Sequence, residues 1–430
     1  MQLDARSLAR SPFPIACLLV ALLAPGLVGC SSGRSDRAAV DREYAFWPIS
    51  PAEPRIQFVR SFQSSMDVVP TSDSAFSRLV FGDEAEAAVA IQKPYGIDMN
   101  DGRIYVCDIR GQSLTVLDLP EREMRLIGTS GFNRLSNPVD VVVADDGMIY
   151  VADTERGGVI VFDQRERFVR AFGHEAFVPI AVAVHGDRLY ACSRESQVVE
   201  IFDRVSGDHI GSIGSVGDED GQFRLPLGVD TDRDGNVYVM DMMRARLQKF
   251  SPEGEFLAAV GALGDVAGTF ARPKQVAVDS EGIIYVVDAA FQNVQMFNAD
   301  FELLMAFGSA GEFPGAMNLP AGICVAEDPA DVKALAGEVH PGFEPKRVVL
   351  VTNQFGPAKV SAYVLGQRRE GWTVAELSSS AAAVDAGVGP NPETQNLLQI
   401  PPDAPDPGEA SEDAGGHPPI EPAGPHGGQQ

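Results

Sequence analysis

The amino-acid sequence predicts an all-β fold, a six-bladed β-propeller, and three observations carry that expectation. First, five short runs recur: "YVCD", "YVAD", "YACS", "YVMD" and "YVVD", with tyrosines at Tyr105, Tyr150, Tyr190, Tyr238 and Tyr285. Second, each run sits in a frame of nearly constant spacing. Pro94, Pro138, Pro179, Pro226 and Pro273 stand 11 or 12 residues before the tyrosine. Leu117, Phe162, Phe202, Phe250 and Phe297 stand 12 after it, and Gly128, Gly173, Gly214, Gly261 and Gly308 stand 11 or 12 further on. Third, every unit divides into four β-branched or aromatic runs separated by Asp-Gly or Gly-rich turns, with no helical periodicity. A sixth, altered copy runs from Pro320 through "VVLVTNQ" to Tyr363. One four-stranded unit of roughly 40 to 48 residues cannot hide its own two faces, whereas six packed radially can.

The elements follow in chain order. Arg6 and Arg10 precede "PIACLLVALLAPGLVGC", a stretch too short and too interrupted by proline for an ordinary membrane-spanning helix. It ends in Leu27-Val28-Gly29-Cys30, which resembles the lipobox of bacterial lipoproteins. The resemblance implies removal of residues 1–29 as a signal peptide and acylation, palmitate included, of the Cys30 thiol. The alternative is a plain signal peptide with a cysteine near its end. Several acyl chains would anchor the protein stably. Ser31 after the cysteine favours the outer membrane, facing periplasm or cell surface, under the sorting rule of enteric bacteria. Residues 30–54 then read as a linker from the lipid anchor.

The propeller is expected over 55–375. Its sixth unit lacks a clear fourth strand, for which "WTVAEL" (372–377) is a weak candidate. The segment "QFVRSFQ" (57–63) matches "RFVRAFG" (167–173), the outermost strand of the second unit, in four of seven places. Residues 56–63 are therefore expected to close the ring and to protect a sheet edge. Residues 64–90 read as an irregular or helical insertion, and 327–347 as an insertion between the first two strands of the last blade. From 376 to 430 the chain reads as a disordered tail. It contains no Lys or Arg and is dominated further on by Pro, Gly, Ala and acids, a composition that cannot offset its ordering entropy.

Charge and cysteines bound the function. The 430 residues carry 34 basic and 60 acidic side chains, a formal net charge of −26. No basic stripe is available to displace counterions from phosphates, so nucleic acid is not an expected partner. Cys107, Cys192 and Cys324 remain after the signal and the lipid site are set aside. They lie in apolar strand-like runs without a disulfide framework or a haem motif, and read as buried thiols.

The unit pattern Pro-x-Gly-Val, then Asp-x-x-Gly, then "NVYVMD", then "LQKF", then a Gly-rich link resembles the NHL repeat over about residues 91–365. Ser193 and Asn353 replace the strand-end aspartate in the third and sixth units, and Asp140, Ala181 and Gln275 stand where the other units have glycine. The family includes lyases that hold a metal with several histidines in the central channel. Here His185, His209 and His340 are expected in turns on one face and His174 on the other, so they should not converge at the channel. The stretch "DTDRDG" (230–235), with Asp241 at its twelfth position, has the spacing of a calcium loop. Yet its turn recurs as "MNDG", "ADDG" and "DSEG" in other units, and Asp and Gly suit such turns. An ordinary turn is expected, with no metal and no cofactor.

A binding role fits this pattern best: an envelope-anchored scaffold that binds a protein or glycan through one face, with no catalytic residue assigned. The alternative is a periplasmic lyase or hydrolase with its site at the channel mouth, where carboxylates such as Asp140 could lie. Arg110, Arg156, Arg194 and Arg244 follow the strand-end position in units one to four and are candidates for contacting an anionic partner. They could equally be solvated residues paired with neighbours such as Glu155 and Glu195. The anchor makes its own prediction. Cys30→Ser should move the protein from the membrane to the soluble fraction and leave the signal uncleaved. Normal processing and membrane fractionation of that variant would remove the anchor assignment.

Overall fold

The computed structural model describes residues 44–68, 88–131 and 133–379. The signal segment, Cys30 and the acidic tail beyond residue 379 lie outside them, as do 69–87 of the 64–90 insertion. Among the described residues no helix is long and apolar enough to cross a membrane.

The repeats fold into six antiparallel sheets whose first strands line a common centre, a six-bladed propeller. Strands are numbered here from the centre of each blade outward. In the first blade they are Pro94–Asn100, Arg103–Asp108, Ser113–Asp118 and Glu123–Ile127. Second and third strands are almost wholly buried, as in "IYVVD" and "NVQMF" of the fifth blade, because a neighbouring sheet covers each face. Fourth strands such as Phe168–Phe172 alternate between covered and open positions at the rim. The core is thus a set of layers between blades. Between the fifth and sixth, Tyr285, Val287 and Met296 pack with Ile323, Val349, Val351 and Tyr363.

The sixth sheet joins the chain's two ends. Its order is Pro320–Ala326, Phe343–Asn353, Val360–Arg368, Ile56–Phe62 and Ala45–Trp47. Ile56–Phe62 pairs antiparallel with Val360–Arg368, Phe58 opposite Tyr363 and Phe62 opposite Val360. A fifth strand, Ala45–Trp47, lies within the stretch the sequence suggested was linker. It is held by aromatic packing: Phe46 on Phe343 and His340, and Trp47 on Phe307 and Tyr363. "WTVAEL" supplies no strand. Its residues lead into a helix, Val374–Ser379, with Leu377 buried and Trp372 edge-on to His340. The insertion in this blade holds the helix Pro329–Leu335, capped by Asp328, whose side chain accepts from the Ala330 amide. Asp331 accepts the Gly102 amide at 2.6 Å and so ties the helix to the first blade.

One interaction repeats in full in four blades and in reduced form in the other two. The residue ending the second strand accepts the two backbone amides that precede the proline of its own first strand. Asp108 takes Gln92 N at 2.6 Å and Lys93 N at 3.0 Å. Asp153 takes Ser136 N and Asn137 N, Asp241 takes Arg224 N and Leu225 N, and Asp288 takes Ala271 N and Arg272 N. The same carboxylates also accept an amide from the turn into the third strand, Gly111, Arg156, Arg244 or Phe291. Ser193 and Asn353 do a reduced version of this in the third and sixth blades. The proline then begins the first strand where no amide donor is needed. The link glycine serves a close approach: Gly261 has φ +97, and a Cβ there would lie 2.4 Å from the Phe270 ring of the following link.

Asp241 is fully buried, and its removal would strand three amides. Each buried, unpaired donor costs about 1–3 kcal/mol, so Asp241→Ala should lower unfolding free energy by roughly 3 kcal/mol or more. Asp241→Asn should cost clearly less, since Asn353 occupies the equivalent place in the sixth blade. Urea unfolding followed by tryptophan fluorescence measures both. Equal, small losses in the two variants would contradict the role given to this carboxylate.

Candidate functional site

All six first strands begin at a proline and run the same way along the central channel, so distance from the proline measures depth. Two residues in stand Gly96, Asp140, Ala181, Gly228, Gln275 and Gly322. Asp140 and Gln275 belong to opposite blades and meet across the channel, Gln275 Nε2 donating to Asp140 Oδ1 at 2.8 Å. Their remaining polar atoms hold neighbouring blades: Asp140 Oδ2 accepts Val182 N at 2.9 Å, and Gln275 Oε1 accepts Ile323 N at 3.1 Å. The small residues in this layer make room for the pair. A Cβ on Gly96 would stand 2.2 Å from Asp140 Oδ1, and one on Gly228 2.8 Å from Gln275 Cα.

Two residues deeper stand Asp98, Val142, Ala183, Asp230, Ala277 and Cys324, lining a cavity of about 170 Å³. Asp98 accepts Val143 N at 2.7 Å and Met99 N at 2.8 Å; Asp230 accepts Val278 N and Thr231 N, both at 2.8 Å. Like Asp140, each therefore bonds to the adjoining blade. Burial pushes the carboxyls of Asp98, Asp140 and Asp230 up to about 7, against the pull of the amides they accept. The negative charge of Asp230 adds to the rise at Asp98 and Asp140, and that of Asp232 to the rise at Asp230. The thiols of Cys107, Cys192 and Cys324 are buried and outside any disulfide, and burial raises them too.

The aspartates of 230–234 divide between two tasks. While Asp230 faces the channel, Asp232 organises its own turn, accepting Asp234 N at 3.0 Å, Asn236 N at 2.9 Å and the Tyr238 hydroxyl at 3.1 Å. Its burial opposes ionisation, but the Asn236 bonds, Lys249 and Tyr238 together hold it below the usual carboxylate range. Asp279 in the fifth blade makes the same turn, accepting Glu281 N, Ile283 N and the Tyr285 hydroxyl.

The second-to-third strand loops and the links between blades share one face of the disc. There Arg110 is exposed and has no hydrogen-bond partner for its side chain among the described residues. Arg156 donates to the Arg134 carbonyl at 2.8 Å, and Arg194 is half-buried. Arg244 is committed to the preceding link through the carbonyls of Glu219 and Gln222, both at 3.0 Å, and of Asp218. The same face exposes large apolar side chains: Leu263 (77%), Met243 (68%), Val266 (62%) and Phe355 (59%). These loop residues have no periodic signature, and sequence reasoning missed them.

The histidines correct one expectation. His174 and His209 are neighbours, ring centroids 5.1 Å apart, at the outer edge of the third blade. His209 opens the fourth strand, His209–Ile213, beside a register shift. The link after Gly173 brings His174 against Phe177 and Phe202. His340 is buried against Tyr44 and Trp372.

The raised channel acids predict a pH dependence of stability. Folded, each keeps its proton up to about 7; unfolded, each releases it near 3.8. Their contribution to stability is therefore complete below the lower value and is lost as pH rises through the higher one. Asp98→Asn combined with Asp230→Asn retains an acceptor for the Val143 and Val278 amides and removes the ionisation. Relative to the natural protein, this variant should gain several degrees in melting temperature between about pH 5 and about pH 8. A constant difference across that range would show that these acids titrate ordinarily.

No family model matches the chain, and no curated protein matches it. Among solved structures it is similar to virginiamycin B lyase from Staphylococcus aureus, with 9% identity over 64% of this chain and 95% of that one, at a TM-score of 0.43. It is likewise similar to regucalcin, a calcium-binding protein from Agrobacterium tumefaciens, with 12% identity over 65% of this chain and 92% of that one, TM-score 0.45. A Bacteroides thetaiotaomicron protein of unknown function is 17% identical over 65% of this chain and 70% of its own, TM-score 0.46.

Proposed function

We propose that this protein is an envelope-anchored β-propeller scaffold, lipid-anchored at Cys30, that binds a protein or glycan partner through the face of loops and links. The observation that carries this reading is the concentration of exposed Leu263, Met243, Val266 and Phe355 on that face, which also bears Arg110, Arg156 and Arg194. Exposed apolar groups rimmed by polar ones mark interaction surfaces. Arginine beside them suits a partner that presents carboxylates. Arg244 supports the surface indirectly by holding the 218–222 link in place.

The channel favours binding over turnover. The Asp140–Gln275 pair spans it, and the cavity beyond, about 170 Å³, is smaller than the roughly 300–1,000 Å³ typical of small-molecule sites. A lyase or hydrolase acting there would need that pair to part.

Capture of partners from envelope extract on the immobilised protein, followed by titration of the purified partner, tests the face. Exposed ion pairs contribute only about 0–1 kcal/mol each. Affinity should therefore fall steeply with salt, and more for Arg110, Arg156, Arg194 and Arg244 changed together than for any one. Met243→Asp with Leu263→Asp should lower affinity by about tenfold or more while the melting temperature stays put. Unchanged affinity in both multiple variants would move the site to the opposite face or the channel.

A further inference from the structure

At the outer edge of the third blade three side chains with free electron pairs converge. His174 comes from the link between blades two and three, Glu200 from the third strand, Val198–Asp203, and His209 from the start of the fourth, His209–Ile213. Glu200 Oε2 lies 2.8 Å from His209 Nε2, and Glu200 Oε1 lies 3.9 Å from His174 Nε2. One donor atom from each of the three residues lies within 4.8 Å of the others. Around them Phe177 and Phe202 pack against His174, and Phe202 also against His209. Glu200 is buried while both imidazoles reach solvent.

Two features set this cluster apart from an ordinary His–Glu ion pair. The first is the second imidazole. One histidine is enough to pair the carboxylate, and two charged imidazoles at this separation would repel. Two neutral imidazoles and a carboxylate instead bring lone pairs together, and a single divalent cation among them satisfies all three. The second feature is the outer support. His174 Nδ1 is 2.9 Å from the Glu175 carbonyl, so the ring N–H donates there and the Nε2 lone pair turns toward Glu200. The Ser196 hydroxyl donates to Glu200 Oε1 at 2.9 Å. Histidines that ligate metals commonly donate their other N–H to a backbone carbonyl in this way, and ligating carboxylates are commonly hydrogen-bonded in turn.

We propose that His174, Glu200 and His209 form a binding site for a zinc-class divalent transition-metal ion. Two imidazole nitrogens and one carboxylate suit such an ion, whereas calcium and magnesium prefer an all-oxygen shell. The site has three protein ligands, two of them solvent-exposed, so a water or a partner's side chain can complete a tetrahedron. Binding clasps the link after Gly173 to the two outer strands of the blade, and the ion therefore stabilises the folded state by mass action. This site shares no residue with the channel layer of Asp98, Asp140, Asp230 and Gln275.

The test uses the full chain, stripped with chelator and dialysed, with Zn2+ followed by calorimetry and Co2+ by its visible absorption. One ion should bind per chain, with the intense bands of tetrahedral Co2+, and added Zn2+ should raise the melting temperature. His174→Ala with His209→Ala should weaken binding by roughly 100-fold or more, and Ser196→Ala by about tenfold. Both histidines are solvent-exposed, so their loss should leave the fold intact, which the metal-free melting temperature checks. The acidic tail holds two further histidines, and His417→Ala with His426→Ala should bind as the natural chain does, separating this site from them. Absence of Zn2+ and Co2+ binding, or equal binding by the His174/His209 variant, would overturn the assignment.

Discussion

The buried acceptor at the end of the second strand, a carboxylate in four of the six blades, is the interaction on which the propeller depends. It gathers the two amides ahead of the proline and an amide of the following loop into one acceptor, and so fixes where a blade begins and where its second hairpin turns. A further backbone bond completes the latch, as when Ile109 N donates to Lys93 O or Ala289 N to Arg272 O. Unpaired amides inside a protein are costly, and a carboxylate takes three of them where a backbone carbonyl would rarely take more than two. Blades with Ser193 or Asn353 accept fewer amides. They keep the geometry because neighbouring blades, each latched, hold them from both sides.

At the centre the repeat is deliberately unequal. Six identical glycines two residues after the proline would leave an open hole. Here Asp140 and Gln275 fill it from opposite blades, and the remaining small residues allow the pair to meet. Asp98 and Asp230 repeat the same device one layer down, each bonding the adjoining first strand. Acids in such a place serve cohesion between blades at the expense of easy ionisation, and so their proton affinities lie far from the ordinary range. A centre filled and bonded in this way is a hub. It leaves the loops at the disc's face free to differ from blade to blade, as Met243, Leu263 and Phe355 show.

The seam where the ring closes is a second place of unequal construction. Two N-terminal strands complete the last sheet, and Arg60 reaches Glu338 in the insertion at 2.6 Å. The buried Arg347 adds a bond between blades five and six through Glu281 at 2.9 Å and Asp279 at 3.4 Å. Closing the sheet with strands from both ends of the chain means that neither end can leave without exposing an edge.

By itself the sequence determined the blades. Their period, their proline, tyrosine and glycine marks, and the alternation of each strand are local, and six copies make the pattern unambiguous. It also marked Asp140, Ala181 and Gln275 as departures, though a departure has no direction until the ring closes and sets blade two opposite blade five. The short strand Ala45–Trp47 was hidden because three residues carry no periodicity and the strand exists through aromatic contacts with blade six. "WTVAEL" has the composition of a strand, yet Ile56–Phe62 already occupies the edge it would have used, and its residues turn into a helix. The meeting of His174 with His209 lay equally beyond sequence reasoning: strand order alone sends them to opposite faces, and only a register shift and a folded-back link bring them together. What repeats along the chain is written in the chain; what lies opposite, at an edge or across a link is decided by packing, because those neighbours are distant in sequence and no spacing records them.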